Sequence, residues 1–227
     1  MISESIVTQW SVDHPWPSAD QIEQDLLLTQ AICEISSDEL FGKELVLRGG
    51  TAFHKLYLAQ PARYSEYLDF VRTSAGGIGG IMKRLTIMGK DLGFEVKTQM
   101  AAHPKVFWRF VSASGVKRKI KLEINTFERS PMLPLTTLPL LVENSWFSKQ
   151  ADVPVFQAEE LCATKVRALY QRSKCRDLFD LWLALTELKL APKDIMAAFD
   201  AYRPQGLTQP LLRKTPQGKA CRQRLLL

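Results

Sequence analysis

No stretch of this 227-residue chain approaches twenty consecutive apolar residues, the length a helix needs to cross a bilayer, so no membrane span is expected. The N-terminus has no basic segment followed by an apolar one, and no secretory signal is read there. Cytoplasmic residence is the resulting expectation. Metal-ligating residue types are sparse, with three histidines and four cysteines. Cys33, Cys162, Cys175 and Cys221 are widely separated and none stands in C-x-x-C spacing. Such scatter suggests neither a zinc site nor a disulfide framework. His14, His54 and His103 are equally dispersed, and a packing or surface role is expected for His54. The glycines of residues 76–80 lack the G-x-G-x-x-G spacing of a dinucleotide fingerprint and read as a loop.

What is present describes a globular protein with a basic bias. Hydrophobic residues make up 46% of a chain long enough for one large domain or two small ones. The net charge of +6 and sequence pI near 9.2 favour a polyanionic partner such as nucleic acid, bound through phosphate contacts and counterion release. Such a charge also serves solubility alone. After Arg203 the sequence has no apolar period and no acid, and it carries Arg213, Lys214, Lys219, Arg222 and Arg224.

Along the chain, Ser18 and Gln21 form a capping box for a helix running to about Ser36. The apolar run Leu45-Val46-Leu47-Arg48 ends at Gly49-Gly50 and gives way to a helix-like segment over residues 51–57. Glycines at a strand-to-helix turn let the backbone approach a ligand, and the new helix offers free N–H groups that suit a phosphate. Most Gly-Gly pairs are turns and nothing more. Residues 63–72 read as the next strand. Side chains two apart on a strand share a face, so Tyr67 and Asp69 point together while Leu68 and Phe70 point into the core. A helix is expected over residues 81–92, then strands over 94–100, 105–112 and 117–125. In the last of these Ile120, Leu122 and Ile124 take one face, and Lys119, Lys121, Glu123 and Asn125 the other. Glu123 is either a surface carboxylate paired with a neighbouring lysine or a site carboxylate beside the strand of Asp69. Proline-rich sequence over 131–139 is read as separating the sheet region from the rest, with the domain boundary near Asp152, between residues 1–151 and 152–227. Helices are expected from Ala158, over 177–188 with Leu178, Leu181, Trp182 and Leu185 facing inward, and from Pro192 to Tyr202.

Four motifs are more specific than any of these patterns. Gly49-Gly50-Thr51-Ala52, followed by Arg63-Tyr64-Ser65-Glu66-Tyr67-Leu68-Asp69, resembles the AbiEii/AbiGii toxin family of nucleotidyltransferases, whose usual wording is close to G-G-T-A-L and R-F-S-E-D-I-D. Downstream, Lys165-Val166-Arg167-Ala168-Leu169 and Arg176-Asp177-Leu178-Phe179-Asp180 are similar to that family's K-x-x-A-L and R-D-L-x-D. The resemblance implies an α+β fold, a nucleotidyltransferase sheet with flanking helices followed by a helical C-terminal domain. It implies transfer of nucleotides from NTP to the 3′ end of tRNA, with Mg²⁺ (or Mn²⁺), and a separate antitoxin protein as partner. It assigns Asp69 and Glu123 to the metal, Gly49, Gly50, Thr51, Ser65, Lys165 and Arg176 to the nucleotide, and Asp69, Glu123, Lys165 and Asp177 to catalysis. One position departs from the pattern. Tyr67 stands where the family carries a metal-binding aspartate, and a phenol with a pKa of about 10 brings no charge to a hard cation at neutral pH. An impaired transferase is one expectation. The alternative is a catalytically inactive RNA- or antitoxin-binding module on the same scaffold.

Overall fold

In the computed structural model, which describes residues 2–204 apart from Pro61 and Ser173, the chain divides into two units after Gln157. Asp152, the expected boundary, lies within a strand. The basic tail lies outside the described residues.

The first unit begins with helix α1 (Glu4–Ser11), for which no sequence pattern had been read. Helix α2 (Ala19–Ser37) starts where the capping pattern places it, with the Ser18 hydroxyl accepting the Gln21 N–H at 3.3 Å. A single turn, α3 (Phe41–Glu44), leads into β1 (Leu45–Arg48). The Gly-Gly turn opens α4 (Gly49–Ala52), which continues as a π-helical turn over Phe53–Tyr57. Strand β2 (Tyr67–Arg72) starts four residues later than expected. Helix α5 (Gly79–Asp91) and strands β3 (Glu95–Gln99), β4 (Lys105–Val111) and β5 (Lys117–Asn125) follow the apolar periodicity closely.

The region over 131–139 needs a correction. Its prolines do not end the sheet: β6 (Thr136–Glu143) and β7 (Ser148–Val155) pair as an antiparallel hairpin. Pro139 sits in β6, an edge strand, where a missing N–H costs no ladder bond. The seven strands form one mixed sheet in the order β3-β4-β5-β2-β1-β7-β6. The β2–β5 and β1–β7 pairs are parallel and the others antiparallel. One face buries Leu68, Phe70, Trp108, Ile120, Leu122 and Ile124.

Helix α2 is buried on nearly every side and carries polar residues inward, several of them with a partner. Gln24 donates to the Lys119 carbonyl at 3.1 Å, and Glu23 accepts the Ala113 N–H at 2.9 Å. Asp25 pairs with Lys55 at 2.8 Å and accepts the Trp10 indole N–H at 3.0 Å. Lys55 also donates to Thr29. This cluster ties the N-terminal arm to the π-helical turn. His14 stacks on Trp10 with ring centroids 4.0 Å apart. His54 is buried, its ring edge-on to Phe53.

The second unit contains α6 (Ala158–Gln171), α7 (Cys175–Thr186) and α8 (Pro192–Tyr202). Helices α6 and α8 pack through the stacked rings of Tyr170 and Phe199 and through a buried bond from the Tyr202 hydroxyl to Glu160. The apolar stripe of α7 does not face inward as expected. Leu178, Trp182 and Leu185 are 54%, 52% and 44% exposed, whereas Asp177, Asp180, Leu183 and Ala184 are buried. Periodicity marks a stripe but not its direction, and here an internal ion-pair cluster takes the inner side. Cys33 and Cys162 are buried free thiols.

Two consequences of this packing are measurable. Trp108 lies against the backbone of Gly89 on α5, so that a Cβ there would stand 2.6 Å from the indole Cδ1. The indole N–H donates to the Leu85 carbonyl and the ring is fully buried, so it cannot retreat. Gly89→Ala gains roughly 1 kcal/mol of helix propensity but overpacks at a cost of about 1–3 kcal/mol. A net loss is expected in urea unfolding, whereas Gly80→Ala, with open space around it, should gain a few tenths of a kcal/mol or more. The second concerns pH. Burial, then the Lys55 ammonium, hold the His14 imidazole below its ordinary 6.5. Protonation therefore favours the unfolded chain, so this contribution is complete above pH 6.5 and is lost as pH falls below it. His14→Phe, which keeps a ring on Trp10, should show a smaller drop in urea midpoint between about pH 7 and about pH 5.5 than the parent does.

Candidate active site

Parallel pairing of β2 with β5 places Asp69 directly opposite Glu123. Neighbouring strands are about 4.8 Å apart, so the two carboxylates project side by side from one face. The row continues outward on both sides. Arg48 is the register partner of Asp69 on β1, and Lys105 that of Glu123 on β4. Four strands thus present Arg48, Asp69, Glu123 and Lys105 in line. One step along, Tyr67 stands opposite Lys121. The Lys121 ammonium lies 4.3 Å from the centroid of the Tyr67 ring and 2.9 Å from Glu123 Oε2, with Lys105 at 3.8 Å from the same oxygen. Burial raises the Glu123 pKa, but Lys121, Lys105 and His103 together outweigh it and hold the carboxyl below its ordinary 4.5. Glu123 is therefore ionised at neutral pH.

The Gly-Gly turn belongs to the same place. Gly49 has φ +81°, and a Cβ added there would stand 2.7 Å from Asp69 Oδ2. Only a residue without a side chain lets the turn pass so close to that carboxylate. A Cβ on Gly50 would collide with the Arg63 guanidinium, which places that cation over the turn. The Thr51 hydroxyl is used locally. It meets Ser65 Oγ at 2.7 Å and donates to the Tyr67 carbonyl, fastening α4 to the start of β2. Ser65 is thereby held next to the turn.

Lys165, Asp177 and Asp180 converge in the second unit. The Lys165 ammonium is 2.6 Å from Asp180 Oδ2 and 3.8 Å from Asp177 Oδ1, and all three side chains are buried. Arg172, just past the end of α6, reaches Asp177, with Nε 3.2 Å from Oδ2. Asp177 lies in the first turn of α7, where a carboxylate also complements the helix dipole. Arg176 is exposed beside it.

Among the described residues no three His, Cys, Asp or Glu side chains converge as a metal cage. The donor set of Asp69 and Glu123 fits a hard cation that completes its shell with phosphate oxygens and water, the usual arrangement for Mg²⁺. It does not fit a site made of protein ligands alone. Sequence reasoning had not picked out Arg48 or Arg172. Arg48 was visible only as the last residue of a short apolar run, and its position beside Asp69 follows from strand pairing.

The family model described as "Nucleotidyl transferase AbiEii toxin, Type IV TA system" matches residues 30–222. The chain belongs to this family. As a member of a toxin–antitoxin family, this AbiEii chain has an antitoxin as its implied partner. No curated protein matches the chain. Among solved structures, it is similar to MenT4, a nucleotidyltransferase toxin from Mycobacterium tuberculosis H37Rv, with TM-score 0.60 and 19% identity over 90% of this chain and 79% of that one. At that identity the likeness shows the fold. Two weaker likenesses are to an antigenic nucleotidyltransferase-like protein from Paracoccidioides brasiliensis (TM-score 0.49, 17% identity, 82% of this chain and 88% of that one) and to the antibiotic-resistance factor ANT(2'')-Ia (TM-score 0.48, 13% identity, 81% and 92%). No helix among the described residues is long and apolar enough to cross a membrane.

Each of these two ion-pair clusters can be probed without an activity assay. In Lys121→Met the main force lowering the Glu123 pKa is gone while burial remains, so that pKa should rise toward or above 4.5 in a carboxyl NMR titration. Lys165→Met leaves Asp177 and Asp180 buried without their shared cation, which should cost about 3–5 kcal/mol. Lys165→Met combined with Asp180→Asn should recover part of that loss in thermal unfolding.

Proposed function

We propose that this toxin transfers a nucleotide from an NTP to the 3′ end of tRNA, and that Tyr67 lowers its rate. The observation that carries the reading is the juxtaposition of Asp69 and Glu123 against Gly49. In such a reaction a hydroxyl oxygen of the acceptor attacks the α-phosphorus and pyrophosphate leaves. Gly49, Gly50 and Thr51 present backbone N–H groups to the triphosphate, with Ser65 and Arg63 bracing that turn. Asp69 and Glu123 would hold Mg²⁺ (or Mn²⁺), whose chemistry is charge neutralisation on the triphosphate. Lys165 contacts a nucleotide phosphate, its ammonium oriented by Asp177 and Asp180. A lysine has three N–H donors and can serve both carboxylates and a phosphate. Arg176 supplies a further cation to the departing pyrophosphate. The basic balance of the chain suits a tRNA acceptor, and a cytoplasmic location suits both substrates.

One observation favours the second reading, a non-catalytic RNA- or antitoxin-binding module. Lys121 lies over the Tyr67 ring and pairs with Glu123, so an ammonium already neutralises part of the charge a cation would meet.

A single series separates the readings. Tyr67→Asp places a carboxylate on the face shared with Asp69, and incorporation of labelled nucleotide into tRNA should rise by orders of magnitude and depend on Mg²⁺. Adding Asp69→Ala should abolish the gain, and Tyr67→Phe should behave as the parent. A folded Tyr67→Asp protein that labels no tRNA at any Mg²⁺ concentration would support the binding module instead.

A further inference from the structure

Beyond the carboxylate row, the open face of β3, β4 and β5 carries a second pattern. Strand pairing sets Lys97, Phe107, Lys121 and Tyr67 in one row across the sheet, then Glu95, Arg109 and Lys119 in the next. Val111 and Lys117 form the last. With Lys105, these three strands present six cations on this face against the carboxylates of Glu95 and Glu123. Lys97, Lys117 and Lys119 are exposed and, among the described residues, take part in no ion pair. Phe107 and Tyr67 are half-buried among them, with the ammoniums of Lys119 and Lys121 at 5.5 Å and 4.3 Å from the respective ring centroids. A groove of about 650 Å³ opens at the edge of this face, lined by Tyr67, Glu95, Arg109, Lys117 and Lys119 and, from the opposite face, by Gln24, Phe110 and Arg118.

We propose that this face is a docking platform for a single-stranded stretch of RNA, leading to the Asp69–Glu123 end of the sheet. The proposal rests on the reading of RNA as the acceptor. Lysines two apart on a strand are about 6.7 Å apart, a separation that successive phosphates of an extended strand can match. Rings set between cations offer bases a stacking surface, and sequence-tolerant single-strand binders combine these two features. A duplex hides its base faces and could use only the lysines. An acidic protein would likewise satisfy the lysines and leave the rings without a role.

The test is fluorescence anisotropy of the full chain with a labelled single-stranded RNA of about 12 nucleotides, without NTP or divalent cation. Lys117→Glu with Lys119→Glu should weaken binding about tenfold or more and flatten the dependence of log K on log salt. Phe107→Leu should weaken binding about fivefold or more with the salt slope unchanged. Lys117→Gln with Lys119→Gln serves if the charge reversal unfolds, and thermal unfolding of each variant checks the fold. Parent-like affinity in the folded variants overturns the proposal. So does equal binding of duplex RNA or of an acidic peptide that is indifferent to Phe107→Leu. If the RNA pattern holds while no variant, Tyr67→Asp included, transfers nucleotide to tRNA, the transferase reading fails and the platform stands. If transfer occurs but binding ignores these residues, the platform alone fails.

Discussion

Two carboxylates on adjacent strands repel one another, and like charges placed directly opposite each other cost sheet stability. The architecture of the first unit is arranged so that Asp69 and Glu123 can nevertheless stand together. Lys105 and Lys121 both reach Glu123, while Arg48, next to Asp69 in the row, pairs with Glu128 at 2.7 Å. The register that sets them side by side is maintained by the opposite face of the same strands, where Leu68 and Phe70 pack with Leu122 and Ile124. A slip of one residue would exchange these faces and put charge in the core. Burial of the apolar face therefore enforces the geometry of the polar one.

The turn before β2 depends on the same carboxylate. Gly49 passes Asp69 too closely for any side chain, and the Thr51 hydroxyl ties the short helix to the Tyr67 carbonyl. Backbone and acid are thus fixed relative to one another by a close approach and a hydrogen bond. The flexible groups around them are cations: Arg63 over Gly50, and Lys121 between Tyr67 and Glu123.

The second unit follows a different logic. Its helices bury a lysine and two aspartates while leaving leucines and a tryptophan of α7 exposed. Such a cluster is poor value as a stabiliser, because desolvation of three charges offsets most of their attraction. Its presence where an apolar interior would serve is what sets Lys165 and Asp177 apart from ordinary helix residues.

Much of this was legible from the chain. The alternation in β5, the caps of α2 and the four family motifs depend on local spacing, and local spacing determines element type and the face on which each side chain emerges. Tyr67 and Asp69 on one face, and Glu123 on the polar side of its strand, followed from a period of two. Other features required the tertiary structure. The hairpin of β6 and β7 was hidden because a proline on an edge strand looks like a proline in a loop. The exposed stripe of α7 was misread because periodicity is blind to direction. Arg48 beside Asp69, and Lys121 between a phenol ring and a carboxylate, arise from pairing between strands distant in sequence. By itself the sequence determined the elements, the faces of their side chains and the family motifs. Only the packing of the sheet decided which of them meet, because distance across strands is set by register and not by separation along the chain.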